Sequence, residues 1–502
     1  MAWSCFGDLI SNIIENIALF SKRPYSYITM IRSLAFPALL LACACSSRAE
    51  SPPTNPAYAP PTFAQFVDSM ITAELAATRT PGAVFVYVED GRVVYMKGYG
   101  LANVERQVPV DAERTVWRIG SITKTMTSTA LMQLIDRGKL SLDTRVSERL
   151  KALKFSEPLG PVTVRHLLTH SSGFDEVNPG RMAPSRETVA PLATFLSGRL
   201  RQFFPPGKLP IYSTYASTLA GLVVEDVSAL PYADYLARNL FEPLRMTHTS
   251  VGALPVRDTA YAAVGYEMQG GSLVRQAWEW YHTTPASSVN STAPDMARYM
   301  IAHLNNGELD GNRILSAKAA QMMRDSILRP HPQVTGVTYG FWEELVGELR
   351  VVEHGGNMAG FSAQMTLIPS KNAGFFLVNQ FEGSRIRDNV RWALLTHLFP
   401  EARQRLPVPK PAADFAARSA RFAGRYIPMT SCHTCTPPRA ASSMEVKATP
   451  DGILFAGSRW IEEKPNLFVR SDGTGRIVFI ENAAGEVAYV FAGSFWSFEK
   501  IQ

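Results

Sequence analysis

Apolar alternation at two widely separated places frames this chain and most constrains what it can fold into. Ala83-Val-Phe-Val-Tyr-Val-Glu-Asp-Gly-Arg-Val-Val-Tyr95 alternates and breaks at Asp90-Gly91. A two-residue Asp-Gly between alternating apolar runs is a strong hairpin signal. Extended apolar segments return only at 348–353, 361–369 and 373–379. Helical spacing fills the interval, at Thr123 to Arg137 (stopped by Gly138), 217–227, 293–307 and 315–326. Further helical patterns lie outside it, from Phe63 to near Ala77 and over 387–398. Strands at both ends of a helix-rich middle predict an α+β domain with a sheet assembled from distant parts of the chain.

The flanks have different compositions. Ser46 to Thr62 is rich in Ser, Pro and Ala, cannot bury a core and reads as a tether. A second linker, near Pro400 to Ala413, contains Leu-Pro-Val-Pro-Lys-Pro. Beyond it come short alternating stretches at Gly452-Ile-Leu-Phe-Ala456, Asn466-Leu-Phe-Val469, Arg476-Ile-Val-Phe-Ile480 and Val487-Ala-Tyr-Val-Phe491, separated by turn residues. They predict a small all-β domain. The expected division is a leader over 1–45, a tether over 46–62, a large domain over 63–400, a linker over 401–414 and a β-module over 415–502.

Within the leader, Met30-Ile31-Arg32 precedes an apolar run from Leu34 to Ala42 and then Cys43. The run is shorter than the roughly 20 residues that span a bilayer, and fits the centre of a secretory signal. Leu40-Leu41-Ala42-Cys43 resembles a bacterial lipobox, although Leu41 is not the favoured residue at its position. Residues 1–29 do not suit a signal's basic start, so translation is expected to begin at Met30. The expectation is an exported periplasmic or cell-envelope lipoprotein, lipid-anchored at Cys43; the alternative is a buried or frayed apolar N-terminus. Of the five cysteines, only Cys432 and Cys435 lie in the folded body, as Cys-His-Thr-Cys. Export favours a local disulfide there, and zinc would need two further ligands. The net charge of +6 is thinly spread, with no basic stripe interleaved with aromatics. That composition argues against a nucleic-acid partner.

The chemistry centres on Ser121-Ile-Thr-Lys124, where a strand-and-loop region feeds a helix. A hydroxyl is a poor nucleophile until a base takes its proton, and helix positions i and i+3 share a face. Burial would disfavour the ammonium form and supply a neutral amine. By itself this four-residue spacing is weak, since a helix cap with a solvated Lys has the same sequence.

The run Gly98-Tyr-Gly-Leu-Ala-Asn103 through Thr115-Val-Trp-Arg-Ile-Gly-Ser121-Ile-Thr-Lys124 resembles the penicillin-recognising serine hydrolases. That family includes class C β-lactamases, D-Ala-D-Ala carboxypeptidases and D-aminopeptidases. Val164-Arg-His-Leu-Leu-Thr-His-Ser-Ser-Gly-Phe174, Leu240-Phe-Glu-Pro-Leu-Arg-Met-Thr-His-Thr-Ser250 and Ser291-Thr-Ala-Pro-Asp-Met-Ala297 follow in the family's order. The resemblance implies a β-lactamase-like antiparallel sheet flanked by helices, with a helical subdomain. It makes Ser121 the nucleophile and Lys124 its base. The family's Tyr-x-Asn maps to Tyr212-Ser-Thr214, with Tyr212 as proton relay, in part as phenolate; Tyr215-Ala-Ser217 is a rival register. Thr214 departs from the family's Asn, which puts substrate orientation there in doubt. The Lys-Thr-Gly element is replaced by His354-Gly-Gly356, expected on an edge strand. His354 would polarise the site or bind a substrate carboxylate, Gly356 would admit the acyl group, and the backbone N–H groups of Ser121 and Asn357 would form an oxyanion hole. His166 and His170 invite a Ser-His reading with Ser171 or Ser172, but the family uses this segment structurally. Phe422-Ala-Gly-Arg-Tyr426 resembles the opening of the lipocalin-like module that follows some peptidases of this family.

The function expected is a serine peptidase or amidase that forms an acyl-enzyme on small or D-residue-containing peptides, with no metal or organic cofactor. A carboxylesterase or weak β-lactamase with the same groups is the enzymatic alternative. A peptide-binding envelope lipoprotein without catalysis is the other, and Thr214 is the residue that favours it.

Overall fold

The computed structural model describes residues 62–501 except 178, 326–327, 382, 384, 436–442 and 495. The leader, the tether and Cys43 lie outside the described residues. Helix α1 (Phe63–Thr78) starts at a capping box in which Thr62 and Gln65 bond each other's backbone N–H groups. It leads into β1 (Gly82–Glu89) and β2 (Arg92–Asn103), joined at Asp90-Gly91 with positive φ at both residues. That geometry matches the right-handed twist of the strands. A short β3 (Val108–Pro109) completes this side of the sheet.

The other half is supplied by β4 (Trp342–Val346), β5 (Leu349–Met358), β6 (Phe361–Ile368) and β7 (Ala373–Asn379). The seven strands run in the order β4-β5-β6-β7-β1-β2-β3. The central seam is antiparallel, from Ala83 opposite Asn379 to Glu89 opposite Ala373. The distant segments therefore meet at the middle of one sheet, and β1 is buried along nearly its whole length.

Alternation along β1 divides two layers. Ala83, Phe85 and Tyr87 face a cluster with Val67, Ile71 and Leu75 of α1 and Val390 and Leu394 of α5 (Arg385–Leu398). Val84, Val86 and Val88 face the larger core, which holds α2 (Thr123–Asp136), α3 (Thr214–Ser228) and α4 (Ala293–Leu304). Helix α2 is buried almost all round, including its threonines. Their hydroxyls are satisfied within the core: Thr125 donates to Ile122 O at 2.8 Å, Thr127 to Pro285 O at 2.6 Å and Thr129 to Thr125 O at 2.9 Å.

The C-terminal region is a closed barrel of eight strands, each pairing with its neighbour in sequence. The first, β8 (Gly424–Pro428), pairs antiparallel with the last, β15 (Trp496–Ile501), so no sheet edge is left. Its interior packs Phe422, Tyr426, Trp460, Phe468 and Phe479. Cys432 and Cys435 are joined as a disulfide in the loop after β8. Among the described residues, no helix is long and apolar enough to cross a membrane, and no group of three His, Cys, Asp or Glu gathers as a metal site.

Candidate active site

Ser121 lies in a single 3-10 turn (Gly120–Ile122) just ahead of α2, half-buried, with Lys124 on the first turn of the helix. Two glycines let this turn press on β5. Gly120 adopts φ +54, and a Cβ there would stand 3.0 Å from the Asn357 nitrogen. A Cβ on Gly356 would overlap the carbonyl oxygen of Ile119. Ser121 is thus held against the Gly356-Asn357 backbone.

Lys124 is 2% exposed, and its Nζ donates to Ser121 Oγ at 3.0 Å and to Ala286 O at 2.9 Å. Burial is the main cause that brings its pKa down to about 7, with Glu176 opposing and Arg181 assisting. Near neutral pH a substantial share of Lys124 is therefore free amine.

Tyr212 is hydrogen-bonded to Ser121, and its ring lies 4.9 Å from Lys124 Nζ. Burial holds its pKa above the ordinary phenol value, only partly offset by the Ser121 bond. The resting group is a phenol, which corrects the partial phenolate expected from the sequence. The rival Tyr215 is turned away: its hydroxyl donates to Val177 O at 2.5 Å.

His170 fixes the loop that carries Tyr212. It adopts φ 50, its carbonyl accepts from Ile211 N at 2.7 Å, and its Nδ1 accepts from Ser213 N at 3.1 Å. Its ring packs 4.6 Å from that of Tyr212. Burial, then the nearby Lys124 charge, lowers its pKa to about 3, so the ring is neutral. His166 Nδ1 accepts from Thr163 N at 3.2 Å, as a cap of its short helix. Both histidines are engaged with backbone.

The Thr214 nitrogen donates to Glu176 Oε2 at 2.8 Å, and its hydroxyl accepts from Arg181 Nη1 at 3.4 Å. Arg181 and Glu176 pair at 3.0 Å. Where the resemblance expects an amide, this chain has a hydroxyl tied to an ion pair.

His354 is wholly buried; its Nδ1 donates to Gly355 O at 2.7 Å, and its Nε2 has no hydrogen-bond partner among the described residues. Desolvation first, and then the Lys124 charge, hold it far below the ordinary imidazole value. A neutral ring offers its surroundings a dipole rather than a charge. Trp342 covers it, with ring centroids 3.9 Å apart. Asn357 Oδ1 accepts from Ser362 Oγ at 3.0 Å and from Arg387 Nη1 at 3.2 Å.

The edge-strand expectation needs correction. Strand β5 is second in the sheet, because β4 covers it from Leu349 to Glu353. That pairing ends at Trp342 opposite Glu353, so 354–358 extend past β4 and form a local edge beside Ser121. Glu176, Arg181, Arg387 and the Ala286 carbonyl are site groups that sequence reading missed. Only the adjacent acids Asp175-Glu176, just after the His170-Ser-Ser-Gly-Phe174 run, gave a signal for any of them.

A Ser-Lys-Tyr cluster, with Lys124 buried and Ser121 and Tyr212 half-buried, set where the turn ahead of α2 meets β5 of the antiparallel sheet, defines the class of protein. The Beta-lactamase family model matches residues 67–397, and the chain belongs to that family. "Protein flp" of Staphylococcus aureus is 26% identical over 327 residues, 62% of each chain. "Penicillin-binding protein 4" of Amycolatopsis lactamdurans is 31% identical over 266 residues, 49% of this chain and 66% of that protein. The chain thus spans somewhat less than two thirds of the length of these curated relatives. The octameric penicillin-binding protein homologue of Pyrococcus abyssi shares the fold with a TM-score of 0.59 and 25% identity, over 88% of this chain and 100% of that one.

Proposed function

We propose that this protein is a serine hydrolase that forms an acyl-enzyme at Ser121, acting on small peptides or amides, including ones with D-residues. The carrying observation is Lys124 Nζ at 3.0 Å from Ser121 Oγ, buried and with its pKa brought down to about 7. As free amine, Lys124 keeps one N–H on Ala286 O and accepts the hydroxyl proton while Ser121 Oγ attacks the substrate carbonyl. The N–H groups of Ser121 and Asn357 stabilise the resulting oxyanion, a contribution of roughly 3 kcal/mol per donor. Tyr212, protonated at rest, hands its proton to the leaving nitrogen and is reprotonated by Lys124. Deacylation runs the relay in reverse, with water as the nucleophile. The local edge at 354–358 supports a peptide substrate, because extended backbone can pair with it. No step calls on a metal or organic cofactor. Export, with a lipid anchor at Cys43, belongs to the same proposal.

A fluorophosphonate probe tests the chemistry: wild type is expected to carry one adduct and Ser121→Ala none. Parallel kinetics on D-amino-acid amides, p-nitrophenyl esters and nitrocefin test the substrate class. Ester turnover above amide turnover by many orders of magnitude would replace the peptidase with an esterase. No Ser121-dependent adduct would leave a peptide-binding protein.

A further inference from the structure

We propose that the disulfide-closed loop Cys432–Cys435 of the barrel is part of the active-site scaffold, with Asp175 as the positioning residue that carries its hold to Tyr212 and Thr214. The inference rests on the reading of Ser121, Lys124 and Tyr212 given above. Asp175 belongs to the large domain and is wholly buried, yet most of its partners come from the barrel. Its Oδ1 accepts from His433 N at 2.9 Å, and its Oδ2 from Thr434 N at 2.7 Å and Thr434 Oγ1 at 2.6 Å. Cys432 Sγ, 3.5 Å from Oδ2, is disulfide-bonded and donates nothing. Within its own domain, the Asp175 carboxylate accepts from Glu176 N at 3.0 Å. Two successive amides aimed at one carboxylate form an anion cradle, and the Cys432–Cys435 link closes the short loop that presents them.

The next residue passes the hold inward. Glu176 accepts from the Thr214 nitrogen and pairs with Arg181, which reaches the Thr214 hydroxyl. A second track ends at the same place. Leu209 and Ile211, just before Tyr212, are buried with Met429, Leu467 and Phe491 of the barrel. The His433 ring stacks on Phe203, 4.1 Å away. The run 209–214 is thus gripped from the barrel side through its apolar residues and from the Asp175 side through its backbone. If the loop withdraws, a buried carboxylate loses three donors, a cost that the segment relieves by moving.

Reduction provides the perturbation. A dithiol such as dithiothreitol breaks the Cys432–Cys435 bond, takes up the disulfide as its own ring and leaves two protonated thiols. The full chain is compared oxidised, reduced, as the Cys432→Ser/Cys435→Ser double variant and as Asp175→Asn. Amide hydrogen exchange over 206–216 is expected to accelerate about tenfold, with 83–95 unchanged as a reference. Fluorophosphonate labelling of Ser121 is expected to slow about tenfold. Its acid midpoint should move to lower pH, because Glu176 favours the Lys124 ammonium and would stand further away. Unchanged exchange over 206–216 in the reduced protein and in Asp175→Asn overturns the proposal. So does a rise spread evenly over the chain in both, which would make the loop a general prop of the fold. If wild type fails to label at all, the hydrolase reading falls, while the exchange data still decide the coupling.

Discussion

Burial drives Lys124 and Tyr212 toward their neutral forms, and for one that means losing a proton while for the other it means keeping one. The pair is set at rest as an amine base beside a phenol donor. A rate limb follows from it. As pH falls through about 7, Lys124 gains the proton it should take from Ser121, so kcat/KM for acylation is expected to fall with an acid midpoint near pH 7. A midpoint near 10 would mean that Lys124 is solvated in solution. Lys124→Ala is expected to lower kcat by about 10² to 10⁴, with Ser121 left in place. His170 is neutral down to about pH 3, so it contributes nothing to that limb. His170→Ala removes the acceptor for Ser213 N and the packing against Tyr212. It is expected to lower kcat and cost about 1–3 kcal/mol of stability with the acid midpoint unmoved; a shifted midpoint would show that the imidazole titrates in the working range.

Between elements, the contact that matters most joins β5 to the turn ahead of α2. Gly356→Ala places a methyl group on the Ile119 carbonyl, and backbone cannot yield there as a flexible side chain can. The variant is expected to fold and to lose fluorophosphonate labelling by at least about 10², because the turn shifts relative to Asn357. Labelling at the wild-type rate would mean that the turn is not held by this approach. The same elements show what the sequence made legible. The hydrophobic period located α2, α4, β6 and β7 to within a few residues, because each buries one face or all of itself. Helix α3 begins at Thr214, ahead of the expected Ser217, since Ser213 caps it by accepting from Ala216 N at 3.1 Å. Strand β4 was missed because Glu343 occupies an inward position, and its charge is met by Arg329 and Arg350 at 2.8 and 2.6 Å. Missing β4 is what made β5 look like an edge. Ser121 and Lys124 are three residues apart and readable locally, whereas Glu176, Arg181 and the Ala286 carbonyl reach the site only through tertiary folding.

At the scale of the whole molecule, the barrel also leans on β4, and there a second acid, half-buried, reports the joint. Glu344 stands beside Gly493 and Ser494 of the barrel, and Ser494 Oγ donates to the neighbouring Glu343 carbonyl. Desolvation, opposed by Arg391 and reinforced by Glu353, raises the Glu344 pKa from 4.5 to about 7. The folded protein then holds a proton that the unfolded chain releases above pH 4.5. Stability from this group is therefore whole at low pH, declines as pH rises from about 4.5 to 7, and is flat beyond. With the side chain half-buried, the difference is expected to be about 1–2 kcal/mol, discounted for solvent screening. Glu344→Gln imitates the protonated form at every pH. Denaturant midpoints of the full chain should therefore nearly coincide for variant and wild type at pH 5, and the variant should be the more stable at pH 8. Parallel curves across that range would show that the joint opens enough to hydrate Glu344, and that the barrel rests on the large domain mainly through the Asp175 and Ile211 contacts.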